Sequence, residues 1–572
     1  MILVFFSFPI LSSSPPTPAV VTQSAVRRLP RVALWLFCLA YVLPGFVGRD
    51  PWRNADLAAF GMMRELALGN TSWWSITMLG RGPELPALLP YWLGAWAMQL
   101  APGWVPADFA ARVPFALLLG LTLLATWYAV YYLARREAAQ PVPFAFGGEA
   151  QPTDYARAIA DGGLLAMIAM LGLPQLSHET TPNAAQLAFT AVLFFAYAAS
   201  PYRTVMSAIA AAVASFGLAL SGVPAFGLAL ACAGAIARAM QKDHYAQRWA
   251  LYFVVLGLSA TLLAVQLNVW HARVGQLPVL WDDWRAWGRL MLWFTWPAWP
   301  MALVALWKWR AWWHHFHIAL PLAMAGVIVL ATLIAPSADR TLLLIAPTLA
   351  CLAAFALPTL QRSMTALIDW FTLLFFSSCG LIIWVVWVAM QTGVPAQPAA
   401  NVRRLVPGFE PSFGWLPFLA ALAATAAWVW LVSWRAGRHR DALWKSLVLP
   451  ASGAAMSWLL LMTLWMPLLN YVRSDMAVVR QVTHSIGSNS NQCVAVFGVT
   501  QVEAAALAYH GKLRLVPLVD AKACEWLIVH ATSQPAFAKS ELASDWQLRS
   551  GARRRNSTSD DLLVFQRQST VR

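Results

Sequence analysis

The stretch VLPGFVGRDPWRNADLAAFGMMREL, residues 42–66, places Arg49, Asp50, Arg53 and Asp56 directly after an apolar run that begins at Arg31 and ends near Val47. Charge at the edge of a hydrocarbon core is costly to desolvate, so it either anchors a helix or carries out chemistry. Asp50-Pro51 has the form of a helix start, with Asp at the N-cap and Pro at the first helical position. A carboxylate at the depth of a lipid phosphate can equally orient or deprotonate an acceptor, or hold a cation. Local sequence leaves both readings open.

The chain has 572 residues, 59% of them hydrophobic and 11% charged, with 32 Trp. A soluble protein carries roughly a quarter of its residues charged. Apolar stretches near the length of a bilayer crossing recur from end to end, which makes this a polytopic α-helical membrane protein. The net charge of +15 belongs to the short loops of such a protein, where basic residues hold the cytoplasmic side. No basic stripe with interleaved aromatics marks a soluble segment, so nucleic acid is not an expected partner. The opening MILVFFSFPILSSSPPTP lacks the basic region of a signal peptide. It is expected to be a disordered lead-in or the product of a start codon placed too early.

Thirteen spans are expected, near 32–47, 113–133, 162–176, 184–200, 206–221, 224–238, 249–268, 290–307, 317–335, 341–359, 370–391, 414–433 and 447–467. PALLPYWLGAWAMQL, residues 86–100, is apolar too, but short and flanked by proline. With Arg27, Arg28 and Arg31 inside, thirteen spans put Arg135, Arg136, Arg203, the 238–248 segment, Lys308, Arg310, Arg362 and RAGRHR (435–440) inside as well. A fourteenth span at 86–100 would invert all of these loops, so the positive-inside rule makes that segment an interfacial helix. The division is then a cytoplasmic tail 1–30, a transmembrane domain 31–470 whose first outer loop is 48–112, and a periplasmic domain 471–572.

The outer loops between spans contain Arg49, Arg53, Arg64, Arg81, Arg112, Arg273, Arg285, Arg289, Arg340, Arg403 and Arg404, and no lysine. Guanidinium groups grip phosphate bidentately. Phosphate ligands on that side would explain the set, and so would an arginine-rich codon usage. After Asn470 the composition turns mixed, with strand-like runs at 493–499, 513–518, 525–530 and 562–566 and a helix-like run at 502–510. This reads as a small α/β domain. It contains Cys493 and Cys524, while Cys38, Cys232, Cys351 and Cys379 fall in spans. An extracytoplasmic pair reads as one disulfide.

Other candidate chemistry is thinner. LSHETTPN (176–183) is a short polar outer turn, and the 268–290 loop carries His271, Asp282, Asp283 and Arg285. WWHHFH (312–317) lies on the inner side without a nearby carboxylate, so it is not read as a metal site. No Walker loop, post-strand GxGxxG, HExxH or paired CxxC is present, and nothing points to ATP or nicotinamide.

RDPWRNA (49–55), ELPALLPYW (84–92) and ARVPFAL (111–117), in that order, with a weaker echo in DRTLLLIAPTLA (339–350), resemble the GT-C membrane glycosyltransferases. The likeness is to the branch containing lipid A aminoarabinose transferases and bacterial relatives of protein O-mannosyltransferases. It implies a hexosyl- or pentosyltransferase of the bacterial inner membrane, taking sugar from a polyprenyl-phosphate donor at the periplasmic face. The acceptor would be lipid A or another glycan or protein, and the transfer inverting. Asp50 is implied as the catalytic carboxylate, with Arg53, Arg81, Arg112 and Arg340 on substrate phosphate. Glu84, Asp56, Asn183 and His271 are expected at the acceptor or a divalent cation; no other cofactor is implied. Two positions depart from the family pattern: Leu85 stands where a lysine is common, and Asn183 where an aspartate is. The rival reading is a transporter or flippase of a lipid-linked sugar, which would carry charges mid-span, half-helices and repeated halves. The spans here are almost free of charge and the halves are unlike each other.

The thirteen-span reading is testable directly. Reporter fusions placed after Arg440 and after Tyr471 should report opposite sides of the membrane, and the same side for both would refute the count.

Overall fold

Each of the thirteen expected spans overlaps a helix or a broken helix in the computed structural model, which describes residues 17–270, 275, 277–436, 442–487, 493–521, 524–553 and 561–568. Among the described residues, eight helices are long and apolar enough to cross a membrane, nine if one bent pair is a single span. Arg31–Val42, Thr204–Leu220 and Pro224–Ala239 are apolar but shorter. Two expected spans need correction. The 162–176 run is a helix from Pro152 to Ile168 followed by a short one at Leu173–Ser177, because Pro174 lacks the N–H that a continuous helix would donate four residues back. Asp161, past the midpoint of the longer helix, is buried and accepts a 2.8 Å bond from Trp127 Nε1. The 290–307 run belongs to Trp281–Phe294 and Ala298–Lys308, which bend by 88° at a break containing Pro297. Proline supplies no backbone donor there.

Contacts sort the loops onto two ends of the bundle. At one end, residues 17–30 form a strap rather than a free tail: Val142 N donates to Ala19 O and Ala150 N to Val21 O, both at 3.0 Å. Arg28 pairs with Asp154 at 2.9 Å, and Trp444 Nε1 donates to Arg27 O at 2.7 Å. Arg135 and Tyr202 meet at this end, as do Arg238 and Phe316. At the other end the first loop meets the 178–181 turn, Glu179 meets Arg340, and Tyr471 meets Pro407. Loops expected on one side of the membrane thus share one end of the bundle.

The first loop folds into two helices, Ala55–Ala67 and Leu89–Leu100. The second has 12 residues, about 18 Å of helix, too short for a hydrocarbon core of about 30 Å. Between the first span and Ala55 the chain is irregular and its polar groups need partners. Arg49 is almost wholly buried; its Nη1 donates to His178 O at 2.9 Å and its Nη2 pairs with Asp56. Asp56 Oδ1 accepts from Thr180 N at 2.8 Å and Thr180 Oγ1 at 2.6 Å, and Oδ2 from Trp52 N at 3.2 Å. The guanidinium groups of Arg49 and Arg473 lie 4.3 and 4.9 Å from the Trp52 ring. Burial alone would raise the Asp56 carboxyl, but Arg49, Arg112 and the Thr180 bonds hold it below the ordinary range.

The C-terminal domain is a five-stranded sheet in the order β2-β1-β3-β5-β4. Its strands are β1 (Cys493–Phe497), β2 (Arg514–Pro517), β3 (Trp526–His530), β4 (Trp546–Ala552) and β5 (Leu562–Arg567). β1 pairs in parallel with both β2 and β3, and β5 runs antiparallel between β3 and β4. The parallel β1–β2 pair requires a crossover, supplied by helix Gln501–Tyr509. A capping box starts that helix: Thr500 Oγ1 accepts from Glu503 N at 3.3 Å and Thr500 N donates to Glu503 Oε2 at 3.0 Å. Cys493 and Cys524 form a disulfide with Cα atoms 5.0 Å apart. The crossover helix packs on Ala55–Ala67, so closely that a Cβ on Gly61 would lie 2.7 Å from the Ala505 Cβ.

Asp56→Asn should remove about 3–5 kcal/mol of stability by leaving Arg49 buried without its counter-charge. The thermal melt in detergent at neutral pH is the measurement; an unchanged melt would show that the pair does not brace the loop. Because the Asp56 pKa is depressed, its contribution is full above the ordinary aspartate pKa and is lost as pH falls through the depressed one.

Candidate active site

Asp50 is not a helix cap. The helix of the first loop begins at Ala55, behind Asn54 with φ of 76°. The Asp50 backbone N–H donates to Asn470 Oδ1 at 3.1 Å, and Asn470 also accepts from Trp52 Nε1 at 2.9 Å and donates to Gly48 O at 3.0 Å. The backbone is therefore fixed on both sides of Asp50. Among the described residues no hydrogen bond or ion pair engages its carboxylate. Burial pushes that carboxyl above the ordinary aspartate range; His510, Arg112 and Arg480 oppose the shift and Asp108 adds to it.

The carboxylate faces a cavity of about 610 Å³ that Arg49, Asp108, Arg112, Tyr509, His510 and Lys512 also line. Arg112 sits in the first turns of the Ala107–Ala134 helix, 3% exposed, and pairs with Asp108 one turn earlier at 3.1 Å. Asp108 Oδ1 accepts a 2.8 Å bond from the Tyr509 hydroxyl, so the C-terminal domain helps hold this pair. Arg112 Nη2 is buried and has no hydrogen-bond partner. A forked cation paired through one nitrogen and unpartnered at another is suited to holding an anion. Another cavity, about 630 Å³ and lined by residues such as Leu303, Trp307 and Met364, has no carboxylate in its wall.

The remaining expected site residues lie elsewhere. Arg53 is tied to the far end of the chain: its Nη2 donates to Val472 O at 2.5 Å and its N–H to Arg473 O at 2.9 Å. Arg81 Nη1 donates to Val499 O at 3.4 Å, where the first loop touches the C-terminal domain. Arg340 pairs with Glu179 at 2.8 Å. Asp56 is the internal brace described above, with both oxygens occupied by protein donors. Asn183 donates to Gln186 Oε1 at 3.1 Å, Glu84 is exposed, and His271 lies outside the described residues. Asp50 and Arg112 are the two expected residues that share the cavity. The described residues assemble no cation site, since no three His, Cys, Asp or Glu side chains among them converge.

Sequence reasoning assigned no role to Asp108, Glu179, Tyr509, His510 or Lys512. The i,i+4 spacing of Asp108 and Arg112 was a usable signal for the first of these. Burial raises the Glu179 carboxyl, opposed chiefly by Arg340; its place in a short turn gave no hint of that partner. Nothing local in VEAAALAYH connects Tyr509 or His510 to Asp50.

No protein-family model matches the chain, and no curated protein matches it. Among solved structures, ArnT from Cupriavidus metallidurans in the apo state superimposes with a TM-score of 0.60 at 14% identity, covering 94% of this chain and 98% of that one. The same protein bound to undecaprenyl phosphate superimposes with a TM-score of 0.60 at 14% identity, covering 95% and 99%. The match covers nearly the whole chain, and so this chain, a multi-pass membrane protein, has the fold of ArnT.

Proposed function

We propose that this chain is an integral-membrane glycosyltransferase that moves a sugar from a polyprenyl-phosphate donor to an acceptor at the end of the bundle bearing the C-terminal domain. The observation that carries the reading is one cavity holding both an unengaged carboxylate, Asp50, and a buried guanidinium with a free Nη2, Arg112. Support comes from the shared fold with ArnT, one of whose structures is bound to undecaprenyl phosphate. That end of the bundle is the periplasmic face under the positive-inside rule, with the N-terminus cytoplasmic and the membrane the bacterial inner one.

The chemistry asks little of the protein beyond placement and charge. An acceptor oxygen attacks the anomeric carbon from the side opposite the lipid phosphate. The bond from that carbon to the phosphate oxygen breaks, the lipid phosphate departs with the electron pair, and the configuration inverts. For a hydroxyl acceptor Asp50 takes the proton, a task its burial favours by strengthening it as a base. A phosphate acceptor, such as one on lipid A, needs no deprotonation, and Asp50 then orients it. Arg112 holds the phosphate of the departing lipid. A carrier would hold its substrate near mid-membrane, whereas these groups gather at one end of the bundle, beside the C-terminal domain.

Asp50→Asn keeps the shape of the side chain and removes its charge. With no cap to lose, the variant should insert and melt like the wild type, while sugar transfer by the purified protein from an undecaprenyl-phosphate-linked donor should fall by a factor on the order of 10²–10⁴. Undiminished transfer would overturn the assignment of Asp50. Mass spectrometry of lipid A and other glycoconjugates, with and without the chain, identifies the sugar and acceptor.

A further inference from the structure

The C-terminal domain does more than cover the first loop. The crossover helix Gln501–Tyr509 is anchored at its middle by Ala505 against Gly61, and at its end by the Tyr509 ring edge-on to Phe60 at 4.8 Å and the Tyr509 hydroxyl on Asp108 at 2.8 Å. His510 follows directly, its backbone N–H donating to Ala506 O at 2.8 Å. Its side chain is thereby held at the wall of the Asp50 cavity, and its Nε2 is buried without a hydrogen-bond partner. A buried polar nitrogen left unpaired is costly, and here the unpaired nitrogen belongs to a ring in the wall of a cavity large enough for a ligand. The wall shared with His510 also includes Arg112, whose buried Nη2 has no partner, and Lys512, two cations that favour an anion there.

We propose that His510 is a substrate-contacting residue whose Nε2 hydrogen-bonds the phosphate of the polyprenyl-phosphate ligand, so that the membrane bundle and the C-terminal domain build the site jointly. The assignment rests on the glycosyltransferase reading and names one more residue of that site. Burial lowers the basicity of the ring, although Asp50, Asp108 and Asp475 oppose this and Arg480 adds to it. A neutral imidazole still offers one N–H to a phosphate oxygen.

The test is binding of undecaprenyl phosphate to the purified full-length protein in detergent. His510→Ala should weaken binding roughly ten- to a hundredfold, the expected loss of a hydrogen bond to a charged group. His510→Gln, whose amide N–H₂ replaces the ring donor, should stay within about threefold of wild type. Both variants should melt as the wild type does; His510→Leu, which keeps more of the ring's bulk, stands in for the alanine variant if that one melts early. Wild-type affinity in the alanine or leucine variant would overturn the assignment, as would a glutamine variant no better than alanine. If the wild-type chain itself fails to bind undecaprenyl phosphate while melting normally, the lipid-phosphate reading falls, and the His510 assignment with it.

Discussion

The buried pair of Arg49 and Asp56 is the constraint on which the rest of the site depends. Taking two such charges out of water costs several kcal/mol per ion, and the cost is offset only when the remaining lone pairs and protons find partners. Here Thr180, Trp52 and the His178 carbonyl provide most of them, and the Arg49 Nε is left buried without a partner. The pair therefore joins the first loop to the 178–181 turn in one geometry. Asp50, one residue beyond Arg49, inherits a fixed backbone and keeps its own carboxylate free. Two carboxylates six residues apart thus end in opposite conditions, one saturated and lowered, the other unengaged and raised.

Arginine serves both purposes here because its planar fork can be held on one edge and still offer another. Arg53 uses its fork on Val472, while Arg340 pairs one nitrogen with Glu179 and keeps its buried Nη1 unpartnered; both stitch loops together. Arg112, a residue of the cavity wall, likewise uses one nitrogen on Asp108 and keeps a buried Nη2 without a partner. The all-arginine outer loops are thus partly a set of loop braces. Lysine, a point charge on a flexible stem, would suit neither the stacking on Trp52 nor the divided fork of Arg112.

Much of this was legible in the sequence, for physical reasons. Hydropathy located the helices, since a span must be apolar over its length, and the parity of basic loops sorted them onto the two ends that the contacts now reveal. Asp50 stood out because charge so close to a span needs a cause. Other features were not legible. The helix at Pro152–Ile168 carries Asp154, Arg157 and Asp161, so hydropathy shifted it toward its apolar half. β4 is an edge strand of mixed, largely exposed residues, WQLRSGA, without the alternation that marks a half-buried strand. Glu179, Tyr509 and His510 acquire their roles only through partners far away in sequence, which no local pattern encodes.

The side chain of Asn470 reaches Gly48, Asp50 and Trp52, and its bond to Asp50 spans 420 positions of the chain. That separation has a consequence for biosynthesis. While the ribosome is still making the middle of the protein, the first loop is already outside the bilayer, yet the residue that locks its backbone does not exist. The Tyr509 bond to Asp108 spans a further long interval, 401 positions. The cavity can therefore close only after the last span, β1 and the crossover helix Gln501–Tyr509 have emerged. A partly inserted chain carries Asp50 but lacks the partners, Asn470 and the Tyr509-held Asp108, that complete its surroundings.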